Sequence, residues 1–177
     1  MTAFQNIIDL RLAVSDQVGN RAISDVFPRL VEMAEVDFNS RLRTRHQMRD
    51  ETLFFEGGVS PLPPDFLELI SLGIRPIKYR TDGFNITVPG LQGEVPVSYY
   101  ARLSSLTSSP TVCNWLLRQY PNVYLYGVAL QAAKHLKDVE LAVQMSSLYA
   151  EALQLLKIDD ERARYASQPI RVKGPTP

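Results

Sequence analysis

One cysteine, Cys113, stands in 177 residues. That scarcity excludes an intramolecular disulfide and any site built from several thiolates. Histidine is nearly as rare. His46 and His135 lie far apart, and neither has a cysteine or second histidine at ligand spacing, so the sequence supports no metal site. No stretch approaches the roughly 18 apolar residues of a membrane-spanning helix. The first residues lack the charged-then-apolar pattern of a secretory signal, which predicts a cytosol-like compartment until assembly. Neither sign of charge is in excess: 19 Lys and Arg balance 19 Asp and Glu. No global field draws the chain to nucleic acid or to an anionic membrane, and little repulsion opposes self-association. A GxSxG elbow, a phosphate-binding P-loop and a GxGxxG turn are all missing, so Gly57, Gly58 and Gly73 read as turn glycines. Asp159, Asp160 and Glu161 are adjacent on a predicted helix, where sequence neighbours do not face one another. They read as a solvated charge run. No catalytic residue, cofactor or metal is expected, and the chain is read as no enzyme.

What is present is an ordinary globular composition, with 45% apolar and 21% charged residues. The length suits one domain, or one domain with an arm, and is enough to bury roughly 70% of the unfolded surface. Phe4, Ile7, Ile8 and Leu12 recur at helical spacing, widened by Leu10 and Val14, and predict a helix over 3–14 with Thr2 as its cap. Residues 15–20 break that pattern at Gly19. Phe27, Leu30, Val31, Ala34, Phe38 and Leu42 predict a second helix over 25–43. Pro28 fits its first turn if Ser24 or Asp25 is the cap.

Proline and glycine then punctuate 47–107, which reads as a β-rich insertion. Residues 52–55 form a candidate strand. Residues 74–80 and 84–88 flank Thr81-Asp82-Gly83 and predict a hairpin. Val95, Val97, Tyr99, Ala101 and Leu103 alternate with polar or exposed positions and predict a strand with one buried face. Pro76 and Pro96 point to edge or terminal positions. Residues 62–70, LPPDFLELI, read as a short helix opened by prolines.

Helices are predicted again over 111–120, 122–136 and 138–166. Cys113 reads as a packed thiol. Asp138 would cap the last helix, about 40 Å long at 1.5 Å per residue. Its seam is Leu141, Met145, Leu148, Ala152 and Leu155, at heptad spacing. From Asp159 onward it is nearly devoid of apolar residues and should project from the core. The tail 167–177 holds three prolines and cannot build a core of its own. The fold class expected is mainly α: a helical bundle with a long C-terminal helix, a small antiparallel β hairpin insertion, and an extended tail. Residues 1–166 would form one domain and 167–177 an arm.

Two features stay open on residues alone. Arg41, Arg43, Arg45, His46 and Arg49 form a basic run. A helix C-terminus favours such charge, and the run would also suit a subunit contact or a phosphate-facing patch. Tyr79, Tyr99, Tyr100, Tyr120, Tyr124 and Tyr126 could stack on bases, but most lie on core periods and read as packing. This is the profile of an assembly protein.

Three stretches, FPRLVEMAEVDFNSRL (27–42), LPPDFLEL (62–69) and 99–156 with NWLLRQYPNVYLYGVALQAAKHLKD at its heart, resemble in order and spacing the head-to-tail adaptor (connector) proteins of tailed phages and gene transfer agents. The resemblance implies a virion structural protein of the neck, made in the host cytoplasm. It implies a ring, usually of twelve copies, beneath the portal, continuing the DNA channel towards a stopper or tail protein. DNA would pass without sequence specificity, and no membrane is involved. It makes Pro169, Ile170, Arg171, Val172, Lys173, Gly174 and Pro175 the candidate portal-docking arm. Ile170 and Val172 would be apolar anchors, and Arg171 and Lys173 would face acidic groups. Candidate subunit-interface or channel residues are Arg41, Arg43, Arg45 and Arg49 with Asp159, Asp160, Glu161, Arg162 and Arg164. The alternatives are another neck or tail-completion ring of stopper type, and a DNA-packaging protein, which would need a basic recognition helix that the sequence does not offer.

Overall fold

The computed structural model describes residues 4–73, 78–109, 111 and 113–166. Helix α1 spans Ile7–Gln17. It starts later than the apolar spacing predicts because Asn6 is the cap: its Oδ1 accepts the Ile8 and Asp9 N–H groups at 2.8 and 3.1 Å. It stops where Gly19 and Asn20 turn left-handed, with φ of 71° and 56°. Helix α2 spans Phe27–Arg41 with Pro28 in its first turn. Neither Ser24 nor Asp25 caps it through a side chain; the Ser24 carbonyl accepts the Phe27 N–H instead. Helix α3 is only Trp115–Gln119, because the Asn114 side chain, and not Thr111, accepts the Leu117 N–H. Cys113 therefore precedes the helix and is half-buried. Helix α4 spans Pro121–His135 and α5 spans Val139–Ala166, begun by the Asp138 carboxylate on the Leu141 N–H.

These helices share one apolar core, centred on Phe38. Its ring meets Tyr124 edge-on at 4.9 Å and Tyr149 at 5.9 Å. Room for that ring comes from Gly127 on α4. A Cβ there would lie 2.6 Å from Phe38 Cε1 and 2.7 Å from Cζ. The buried line of α5 is Met145, Tyr149, Ala152, Leu153 and Leu156, whereas Leu155 of the predicted seam is 56% exposed. Two registers fit the apolar spacing of α5. Packing on Phe38 and α4 selects the one that carries Tyr149 inward.

A second core lies among strands. Strands β1 (Met48–Phe55), β6 (Gly93–Ala101) and β3 (Phe66–Leu72) form one antiparallel sheet in the order β1-β6-β3. Strands β2 (Val59–Pro61), β5 (Asn85–Thr87) and β4 (Arg80–Thr81) form another, β2-β5-β4. This corrects the expected fold class. Helix makes up 51% and strand 21% of the described residues, so the chain is α+β with two three-stranded sheets and not a helical bundle with a small hairpin.

The physical reason for the difference is local. Residues 62–70 are not a helix. Phe66–Leu72 pairs with β6, but bulges interrupt the register between Phe66 and Glu68 and again between Leu69 and Ser71. Each bulge adds a residue, so the inward positions Phe66, Leu69 and Leu72 fall three apart and mimic a helical period. Pro96 is also not on an edge, since β6 is the central strand. It is tolerated where β3 ends, because only its carbonyl is used there, by Gly73 N–H at 2.8 Å. On β6, Val95, Val97, Tyr99 and Ala101 face the sheet core. The turn between β4 and β5 is closed by Asp82, whose Oδ1 accepts the Phe84 and Asn85 N–H groups at 2.9 and 2.7 Å. Residues 74–77 of the predicted hairpin lie outside the described residues.

The return from β6 to the helices is read by side chains of α2. Asn39 Oδ1 accepts the Leu103 N–H at 2.8 Å, and Glu35 Oε1 accepts the Leu106 N–H at 2.8 Å. Tyr124 Oη also donates to Glu35, at 3.0 Å, and receives the Asn114 amide at 2.6 Å. Burial holds the Glu35 carboxyl above the usual carboxylate range, against the pull of these donors.

Gly127→Ala is expected to destabilise the protein by about 1–3 kcal/mol, because Phe38 is locked between two aromatic rings and cannot step aside. Urea denaturation checks this. A variant as stable as the parent would show that the aromatic cluster has slack.

Candidate functional site

The basic run begins where α2 ends. Leu42 is extended, and a single 3-10 turn, Arg45–Gln47, turns the chain into β1. Thr44 and Gln47 close that turn reciprocally, and Gln47 Nε2 reaches the Ala101 carbonyl at 3.3 Å. The turn thereby sits against the end of β6.

The far end of α5 packs on the same corner. It does not project from the core as its composition predicted. Asp160 is 6% exposed. Its Oδ1 accepts the Arg45 backbone N–H at 2.9 Å, and its Oδ2 accepts Arg164 Nε at 2.8 Å. Arg164 also donates to the Arg43 carbonyl at 2.9 Å. Asp160 is thus no part of a solvated run: a carboxylate with two charge-assisted or buried bonds ties α5 to the α2–β1 corner. Its neighbours Asp159, Glu161 and Arg162 are exposed.

The arginines divide. Arg43 bonds Glu68 on β3 at 2.6 Å and the Asn39 and Leu42 carbonyls. Arg41 pairs with Asp37 at 2.8 Å and lies over the Tyr149 ring, whose hydroxyl donates to the same Asp37. Burial and that carboxylate push the Tyr149 hydroxyl well above its ordinary range. The Arg45 and Arg49 side chains are exposed. Among the described residues Arg49 bonds only the nearby Met48 and His46 carbonyls, at 3.0 and 3.5 Å. The structure therefore brings Arg41 and Arg43 together with Asp160, Glu161 and Arg164 around one cleft of about 310 Å3, and leaves Arg45, Arg49, Asp159 and Arg162 outside its lining. Arg45 joins the corner only through its backbone N–H on Asp160. Pro169, Ile170, Arg171, Val172, Lys173, Gly174 and Pro175 lie outside the described residues.

His46 was no part of a ligand set in the sequence, and among the described residues no His, Cys, Asp and Glu cluster is placed to hold a metal ion. Its ring stacks on Trp115, with centroids 4.9 Å apart and planes 20° apart. Its Nε2 is buried with no hydrogen-bond partner among the described residues. Burial, reinforced by Arg45, lowers its pKa from the ordinary 6.5. The imidazole wedges the corner as a neutral, flat surface. Nothing in sequence spacing linked positions 46 and 115. The signal that sequence could have offered for Asp160 was its place one turn before Arg164, a spacing that pairs them on one helix face.

The exposed surface carries unpartnered apolar side chains. Ile8 and Leu12 on α1, Met33 and Val36 on α2, and Val139 and Val143 on α5 are all between 46% and 76% exposed. A groove of about 810 Å3 runs between the C-terminal halves of α2 and α4 and the first half of α5. Among the described residues, no helix is long and apolar enough to cross a membrane. The corner's paired carboxylate and arginines tie α2, α5 and the start of β1 to one another.

Two outcomes test this geometry. Asp160→Ala strands a buried N–H and an arginine, so it should cost about 2 kcal/mol. Asp159→Ala and Glu161→Ala should each stay within about 0.5 kcal/mol of the parent. Chemical denaturation of the three variants separates them, and equal losses would remove Asp160 from its special role. In the second, Trp115 is the single tryptophan, so its fluorescence reports on His46. A histidine with a depressed pKa contributes stability that is full above the ordinary 6.5 and is lost as pH falls through the lower, folded value. Emission should therefore titrate with a midpoint below 6.5, and His46→Phe should abolish that step. A midpoint at or above 6.5 would contradict the buried, partnerless nitrogen.

The sequence model of the SU10 adaptor protein family, a phage head-tail adaptor family, matches residues 73–173, more than half of the chain. No curated protein matches it.

Proposed function

The chain belongs to the SU10 adaptor protein family, and from that premise we propose that it is a ring-forming head-completion protein that docks beneath the portal. It is a phage adaptor and a structural component of the virion. The finer reading is that its ring joins the DNA-filled head to the next neck or tail protein and continues the channel through which DNA passes.

The observation that carries this reading is the family match itself. It runs through β4, β5 and β6, through α3 and α4, and along the whole of α5. The geometry adds support of a physical kind. An adaptor works by holding two surfaces at a fixed relation, and here α5 is bonded at its far end to the corner from which the sheets begin. The exposed apolar side chains on α1, α2 and α5 are what a chain that is buried in an assembly would keep on its surface.

In this proposal the tail 169–175 is the portal-docking arm, with Ile170 and Val172 as apolar anchors. Proline restricts the free arm, so ordering it costs less entropy. Arg43 and Arg164 are occupied within the chain, so contacts to a neighbouring subunit or to DNA in the channel fall to Arg45, Arg49, Glu161 and Arg162. The two sheets favour a second reading, a stopper-type ring further down the neck, since such rings are rich in strand.

Negative-stain electron microscopy of the chain mixed with portal rings from the same source tests the proposal. A new ring layer on the portal is expected, and truncation after Ala166 should leave the fold intact while reducing attachment at least tenfold. Folded subunits that never join the portal would transfer the chain to the second reading. Undiminished attachment of the truncated chain would dismiss the arm alone.

A further inference from the structure

The α2–α4–α5 groove and the outer face of α1 have complementary chemistry. The groove floor is apolar or small, with Leu130, Ala142, Val143 and Ala150. A second depression of about 380 Å3, bordered by Met33 and Val36, shares Asp37 and Gln131 with it, so the two form one continuous trough. Val139 and Val143 stand in it 76% and 66% exposed. Its rim carries Lys134 and Lys137, both exposed, and neither takes part in an ion pair among the described residues. Arg41 and Asp138, the other charges on that rim, are already matched by Asp37 and Arg21.

Helix α1 presents the counterpart. Leu10 and Val14 are buried, which leaves Ile8 and Leu12, one turn apart, facing out at 46% and 60% exposure. Asp16 lies one turn further on, and Asp9 stands on the same flank. Neither carboxylate is in an ion pair among the described residues. Among the described residues their side chains are used only locally, where Asp9 accepts the Gln5 N–H at 2.9 Å.

We propose that the occupant of the trough is α1 of a second copy of this chain. Ile8 and Leu12 of one copy enter the trough beside Val139 and Val143 of the next, and Asp9 and Asp16 face Lys134 and Lys137. The two patches are different surfaces, so the contact is head-to-tail and repeats from copy to copy until the rotation closes a ring. This rests on the ring reading above and adds which faces mate. The balanced charge of 19 against 19 leaves no net repulsion to overcome.

Disulfide trapping tests the pairing on the full-length chain carrying Cys113→Ser, so that introduced thiols are the only ones. Leu12→Cys and Val143→Cys, made as separate proteins and mixed under mild oxidant, should give a cross-linked pair about tenfold more abundant than either alone. The doubly substituted chain should give a ladder of multimers. Ile8→Cys with Ser147→Cys is the second pair, which guards against one variant misfolding, and circular dichroism checks each. Homodimers of Leu12→Cys or of Val143→Cys alone would show a two-fold contact and overturn the pairing. So would the absence of any cross-link from both pairs while rings form by electron microscopy; in that case the ring reading survives. Chains that form no ring with or without portal would take away the ring reading and the pairing with it.

Discussion

The chain passes between its helical core and its sheets at two places, and everything else depends on how those crossings are held. A crossing carries backbone N–H and C=O groups through the interior, where each unpaired group is costly. Here they are met by side chains from elsewhere in the chain. Glu35 and Asn39 take the Leu106 and Leu103 N–H groups, Asn114 takes the Ser104 carbonyl, Gln47 takes that of Ala101, and Asp160 takes the Arg45 N–H. These are directional bonds, so they fix an angle as well as a distance. An apolar contact alone would hold the two cores together and let them slide.

The cost of the arrangement is visible at two groups. Glu35 is buried as a carboxyl whose charged form is disfavoured, and half-buried His46 has its Nε2 shielded without a hydrogen-bond partner among the described residues. Both are tolerated because they are wedged among neighbours that are themselves fixed, Tyr124 in one case and Trp115 in the other. For a protein whose proposed work is docking and not chemistry, such rigidity is the useful property. The Asp160 and Arg164 bonds tie the far end of α5 to the corner that leads into β1. In the proposed ring, the apolar side chains left exposed on α1, α2 and α5 would be presented at a repeatable spacing to neighbouring copies.

Part of the candidate site was legible. The basic run 41–49 and the charged end of α5 both stood out in composition. What composition could not show is that they meet. Asp159, Asp160 and Glu161 are alike as letters, yet only Asp160 lies on the buried line with Met145, Tyr149 and Leu156. Leu155 and Leu156 both continue an apolar spacing, and packing against Phe38 and α4 decides between them. In the same way β3 carries a helical spacing in sequence, because its two bulges remove the alternation that marks a strand.

The sequence by itself located α1, α2, α4 and α5 to within a few residues, the inward face of β6 and the turn at Asp82. Each of these follows from short-range rules: spacing of apolar residues, capping and turn chemistry act over a few positions. The tertiary structure alone decided that the insertion is two sheets, that β6 is central despite Pro96, that α5 folds its charged end onto the α2–β1 corner, and that Arg43, Arg45 and Asp160 belong to one cluster. Those facts depend on pairings across tens of residues. No local pattern encodes them, because the free energy that selects them comes from satisfying buried polar groups and filling two cores at once.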